Sequence, residues 1–150
     1  MSDLKSLIVG HAFLQGIAPD QIALLEPGAR RVRFAPGVFI AREGDPAERF
    51  YLLLRGEVSV ESAGQTEGQL QTVGPGGALG WSWLFPPYKW HFTCRAVDEV
   101  EALEWETAYL RQLAEQHPQL GYELARRLTQ VLLRRLQATH QQLVGFYGQG

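Results

Sequence analysis

The chain has 150 residues, 45% hydrophobic and 20% charged, with a formal net charge of −2; this suits one domain with a sizeable core and argues against nucleic acid, whose phosphates call for a basic face. One cysteine and four scattered histidines rule out a disulfide framework and an ordinary zinc site. No apolar run reaches the roughly 18–20 residues of a membrane span, and the start, MSDLKSLIVGHAF, has no signal core, so a cytoplasmic protein is expected.

Residues 3–15 read as a first helix, with Leu4, Leu7, Ile8, His11 and Leu14 near one stripe. Residues 20–25 read as a second, opened by Pro19 and Asp20 and stopped at Pro27 and Gly28. From residue 30 to 105 the texture is β-prone runs between turn residues. VRF precedes APG (35–37), VFIA precedes EGDPAE (43–48), and RFYLLLR precedes Gly56 and Glu57. VSVES then precedes AGQTEG (63–68), and QLQTV precedes GPGG (74–77). HFTCRAV and EVEALEW close the series. Such spacing predicts an antiparallel sandwich or jelly roll.

Inside this region lies GWSWLFPPYKWHFTCRA, residues 80–96. It holds Trp81, Trp83 and Trp90 and the lone Cys94. The pattern predicts a helical turn over 81–85, stopped by Pro86 and Pro87. A strand follows from His91, with Phe92, Cys94 and Ala96 on one face and His91, Thr93 and Arg95 on the other. After Trp105, residues 106–116 fit one helix and 118–146 another, with Pro118 well placed at its start. On the last helix Leu120, Leu124, Leu128, Val131, Leu132 and Leu136 form a stripe that Leu143 and Phe146 extend. A helix this long outruns the domain, so its far end is expected to pack on a second copy, with Leu124, Leu128, Val131, Leu132 and Leu136 as the dimer residues. Arg126, Arg127, Arg134 and Arg135 read as its solvated flank.

The run FAPGVFIAREGDPAERFYLLLRGEVSV (34–60) resembles the first half of the cyclic nucleotide-binding domain of the catabolite activator family. The resemblance rests on Pro36 and Gly37, Ile40, Gly44 and Asp45, Tyr51 and Leu52, and Gly56 with Val58. It covers about residues 10–145. It implies a mainly β fold with flanking helices: N-terminal helices 3–26, a double-stranded β-helix (jelly roll) 29–105, and C-terminal helices 106–146. Activators of the family carry a helix-turn-helix after the long helix, and the chain stops at Gly150, so a stand-alone sensor without direct DNA binding is expected.

Residues 80–96 match the family's phosphate-binding cassette. There a glycine turn and short helix offer backbone N–H groups to a cyclic phosphate, an arginine grips it with paired hydrogen bonds, and a glutamate holds the ribose. Here Gly80 and the segment length match, but Trp81 stands at the glutamate, Trp90 at the arginine, His91 at its serine neighbour and Trp83 at an alanine. Val131 and Leu132 take the place of the polar pair that reads the base. Losing a buried charged partner costs about 2–5 kcal/mol, about thirtyfold to several thousandfold in affinity, which argues against ordinary cyclic AMP binding. The expected ligand-binding residues are Leu79, Gly80, Trp81, Ser82, Trp83, Lys89, Trp90, His91 and Arg95, for a cyclic nucleotide or related anionic ligand.

The tryptophans either box a flat ligand or fill the space a nucleotide would take. Cys94 reads as inert core. His11, His117 and His140 read as surface or packing residues. Ser82 has no base near it in sequence and no nucleophile-elbow glycines, and no His-x-His with a following glutamate suggests a metal-dependent cupin. Asp45 is expected to shape its turn through its side chain. The expectation is a non-enzymatic sensor domain with a non-standard pocket, acting as a homodimer on an unknown effector protein. The alternative is a degenerate domain that binds no small molecule and docks a protein through its tryptophan-rich loop.

Overall fold

RFYLLLR shows no polar alternation, which is the mark of a strand covered on both faces. It forms β3 (Arg49–Arg55), in the interior of a sheet, with four consecutive buried residues from Phe50 to Leu53. Its neighbour β8 (Val100–Glu106) is buried from Val100 through Trp105. A computed structural model describes residues 3–61 and 71–148. Two four-stranded antiparallel sheets make up the jelly roll. The first runs β1 (Arg30–Phe34), β8, β3, β6 (Ala78–Leu79); the second runs β2 (Phe39–Ala41), β7 (Thr93–Ala96), β4 (Val58–Glu61), β5 (Gln71–Val73). The register sets Phe50 opposite Trp105 and Leu52 opposite Leu103, with Tyr51 opposite Glu104 between them and Leu53 opposite Ala102 next along.

Because side chains alternate across a strand, β3 and β8 serve two cores. Tyr51, Leu53, Val100 and Ala102 meet Val58, Val60, Cys94 and Ala96 of the second sheet. Phe50, Leu52, Leu103 and Trp105 point the other way, into a core shared with the helices. Those helices are α1 (Asp3–Gly10), α2 (Pro19–Leu25), α3 (Thr107–Gln116) and α4 (Pro118–Gly148). The Trp105 indole N–H donates to the Leu25 carbonyl at 2.9 Å, tying α2 to the sheet.

Most strand and helix limits follow the sequence to within a residue or two, with four differences. The first predicted helix breaks at Gly10, and Ala12–Leu14 is a short 3₁₀ turn. His11 causes the break. Its Nδ1 accepts the Phe13 N–H at 3.1 Å and its Nε2 donates to the Leu53 carbonyl at 2.9 Å, so it is a buried packing residue joining the helices to β3. The predicted turn over 81–85 tightens to a 3₁₀ turn at Ser82–Leu84. The strand predicted from His91 begins at Thr93. β6 is two residues long, too short to show a period. The predicted turn at 63–68 lies outside the described residues.

On α4, Leu120, Leu124 and Leu128 are buried in the helix-side core with Val131 packed against it. Leu124, Leu128 and Val131 are occupied within their own chain, whereas Leu133 and Leu136 are 52% and 66% exposed. The side chains of Leu143 and Phe146 lie outside the described residues.

Candidate ligand-binding site

The cassette opens where β6 ends. Gly80 has φ +96°, and a Cβ there would stand 2.8 Å from Cη2 of Trp90 and 3.1 Å from the Arg49 carbonyl. Only glycine meets both demands at this turn. The far limb of the loop is stitched to the 44–47 turn: the Ala47 N–H donates to the Tyr88 carbonyl at 2.7 Å, the Trp90 N–H to the Asp45 carbonyl at 2.8 Å, and the Gly44 N–H to the Trp90 carbonyl at 2.8 Å. Asp45 is expected to act through its side chain; the turn instead uses its backbone, whose N–H donates to the Arg42 carbonyl at 3.0 Å and whose carbonyl accepts from Trp90. The EGDP turn serves as a buttress for the tryptophan loop.

The structure separates the predicted residues. Trp83 is 1% exposed and packs in the helix-side core, 6.3 Å from Phe50 between ring centres. Trp90 is 7% exposed and lies in the inter-sheet core, 6.5 Å from Tyr51. Only Trp81 stays at the cassette mouth, stacked on His91 with centres 4.6 Å apart and planes at 24°. An aromatic box of all three does not form in this conformation. Lys89 is exposed, and its backbone bridges to Pro46. Arg95 points out from β7, where its Nε donates to the Gly37 carbonyl at 3.1 Å and its guanidinium lies 5.2 Å from the Phe39 ring. Lys89 and Arg95 therefore do not converge with the rest.

Leu79, Gly80, Trp81, Ser82, Trp90 and His91 do converge, around a void of about 10 Å³ that Phe92, Cys94 and Arg135 complete. That is room for about one water, far below the roughly 300–1,000 Å³ of a small-molecule pocket. The cassette is closed. Larger hollows of about 540 and 450 Å³ lie where α2 meets the start of α4, as open grooves lined by residues such as Gln21 and Gln119.

Two features of the site escaped sequence reasoning. The buried Ser82 hydroxyl and His91 Nδ1 share a hydrogen bond of 2.8 Å, so the fold supplies the neighbour that the local sequence does not. Among the described residues no carboxylate orients this histidine, and the pair has the chemistry of a polar clasp, not of an activated nucleophile. The second is Arg135. Its charge predicts a solvated flank, but it turns inward, half-buried, beside Phe92 and Cys94. Its Nη2 reaches the Ala78 carbonyl only at 3.5 Å, and its guanidinium is 6.0 Å from the Phe92 ring centre. Burial pulls its pKa below the ordinary arginine value, with the Cys94 thiol acting weakly the other way. Among the described residues no carboxylate pairs with it. A signal for it existed: 124, 128, 131 and 135 continue one helical stripe, whereas 136 falls off it. Burial also pushes the Cys94 thiol up to about 12, so it is inert core as expected.

The sequence profile of the cyclic nucleotide-binding domain matches residues 31–117. The chain belongs to the cyclic nucleotide-binding domain family. It is 27% identical over 142 residues to a CRP-like cAMP-activated global transcriptional regulator of Mycobacterium tuberculosis, covering 93% of this chain and 62% of that one. The chain thus spans less than two thirds of the curated relative it matches. Among solved structures, a candidate cyclic nucleotide-binding protein from Geobacter metallireducens GS-15 superposes with a TM-score of 0.79 at 26% identity, covering 91% of this chain and 99% of that one. The catabolite activator protein of Thermus thermophilus does so at 0.66 and 24% identity, covering 91% of this chain and 63% of that one, which supports the fold. The domain is regulatory in class, with the jelly roll and flanking helices of the family. Among the described residues no helix is long and apolar enough to cross a membrane, and no cluster of metal-ligating side chains occurs.

Proposed function

We propose that this cyclic nucleotide-binding domain is a non-enzymatic sensor whose cassette takes an anionic, nucleotide-like ligand by a non-standard set of contacts. The supporting observation is Arg135, a desolvated guanidinium at the cassette void with one long hydrogen bond and no carboxylate partner among the described residues. A partly desolvated cation without a counter-charge is costly, and an anion relieves it. The ligand acts by drawing the cassette and α4 together. Calorimetric titration with a panel of cyclic mono- and dinucleotides tests this reading. Saturable micromolar binding of cyclic AMP overturns the claim of altered specificity.

We further propose that the domain works as a homodimer through the far part of α4, where Leu133 and Leu136 are exposed and Leu132 half-buried. A monomer mass by light scattering at micromolar concentration contradicts this. The effector is proposed to be a protein rather than DNA, because two arginines of α4 are already engaged. Arg126 pairs with Glu123 at 3.0 Å, and Arg127 donates to the Phe13 and Gln15 carbonyls at 2.8 and 2.9 Å. A second reading, an interaction module without ligand, draws on the closed void and on Phe85 and Tyr88, 52% and 41% exposed on the tryptophan loop. It predicts no titration heat with any nucleotide.

A further inference from the structure

We infer that the cassette is built for a small tetrahedral oxyanion of the size of inorganic phosphate, and that Arg135 on α4 supplies its cation. This rests on the reading that the cassette takes an anion, and it narrows that reading to a ligand class and a gripping residue. Three observations carry it. First, the room for a sugar and base is filled. Trp90 is packed into the inter-sheet core under Gly80, and Trp81 covers the mouth. Second, the polar groups that face the void are those an oxyanion needs. A guanidinium offers five N–H donors in a planar fork suited to phosphate oxygens, and the structure uses Arg135 for one bond of 3.5 Å. The Ser82 hydroxyl, 2% exposed, lines the same void. Third, one wall can yield. Leu79, Trp90 and Cys94 are locked in the core, but His91 is exposed and Trp81 only half-buried, and the polar contact of their stack is the hydrogen bond that His91 Nδ1 shares with the Ser82 hydroxyl.

A void of about 10 Å³ holds a water and no phosphate. Entry of the oxyanion therefore swings the Trp81 and His91 pair outward, frees the Ser82 hydroxyl from His91, and lets it donate to the oxyanion alongside the Arg135 fork. Because the cation sits on α4 and the hydroxyl on the cassette, the bound oxyanion bridges the two. Occupancy and the position of the helix become one event, with the helix pinned near Arg135, one residue before the exposed Leu136.

The test is calorimetric titration of the 150-residue chain with inorganic phosphate, followed in parallel by tryptophan emission. Saturable binding in the millimolar range or tighter is expected, with an emission change that Trp81→Phe removes. Hydrogen bonds to a charged group are worth about 1.5–3 kcal/mol, so Arg135→Gln is expected to weaken phosphate binding about tenfold to a hundredfold. Arg135→Lys, which keeps the charge and loses the fork, falls between, and Ser82→Ala weakens binding independently; these two carry the test if the glutamine variant does not fold. Sulfate should compete and planar nitrate should not, and adenosine monophosphate should compete no better than free phosphate. Equal phosphate affinity in the parent and Arg135→Gln overturns the inference. Cyclic nucleotide binding that Arg135→Gln leaves unchanged overturns it while sparing the nucleotide reading. Silence toward phosphate and nucleotides alike overturns both.

Discussion

Gly80 and Trp90 define the cassette as a matched pair. The glycine holds a left-handed φ of +96°, and the indole fills the space where a side chain would project. A methyl group at Gly80 has to be accommodated by moving a ring that is part of the inter-sheet core, while the backbone takes up strain of about 1–3 kcal/mol. Gly80→Ala is therefore expected to lower the urea midpoint by a loss of that size or more. The cause is local, so Trp90→Phe, which withdraws the offending ring edge, should be less harmful in the Gly80→Ala background than alone. Residues in contact show coupling of about 0.5–3 kcal/mol in such cycles. Strict additivity of the two substitutions contradicts a direct Gly80 to Trp90 contact. The same pair shows how the fold accommodates a tryptophan at position 90: its ring is part of the inter-sheet core.

At the level of elements, α4 divides into an inward part and an outward part, and substitutions along it separate the two. Leu128→Ala opens a cavity in the helix-side core and is expected to cost about 2–5 kcal/mol in chemical denaturation. Leu136→Ala removes an exposed side chain, so it is expected to change monomer stability by no more than about 0.5 kcal/mol, yet to shift the mass in light scattering toward monomer. A large stability loss at Leu136, or none at Leu128, would reverse this division. How far such elements can be read without coordinates depends on what marks them. β3 was legible because Arg49 and Arg55 bracket an unbroken apolar run that Gly56 ends. β6 was not, since two residues carry no period. Trp81 and Trp83 could not be told apart, because the same residue type sits on both sides of Ser82 and only tertiary contacts send one to the core and the other to the mouth. The position of Arg135 belongs to the inward stripe, but a charged residue there reads as solvent-facing until the roll beneath it is seen.

Across the whole molecule, the helical layer and the jelly roll are joined by buried polar contacts as well as by packing, and His11 makes one of them. Its ring joins the break between α1 and the 3₁₀ turn to the Leu53 carbonyl of β3, with Nδ1 fixed as acceptor by the Phe13 N–H. The proton therefore sits on Nε2 in the neutral ring, and a second proton would land on Nδ1 and destroy the Phe13 bond. Desolvation lowers the pKa of His11 from its ordinary value, and the Leu53 carbonyl offsets this only in part. The sign follows directly. Below the unfolded-state value near 6.5 the unfolded chain takes up a proton that the folded chain refuses, so acid favours unfolding. The His11 contribution is fully present above that pH and is lost as pH falls through the lowered folded-state value. Thermal unfolding of the parent should weaken between neutral and mildly acidic pH. His11→Gln, whose amide N–H can still reach the Leu53 carbonyl but cannot titrate, should be less stable than the parent at neutral pH. The gap between the two should narrow toward acid. A gap that stays constant, or widens, across that window means that His11 does not carry the acid sensitivity of the junction between helices and roll.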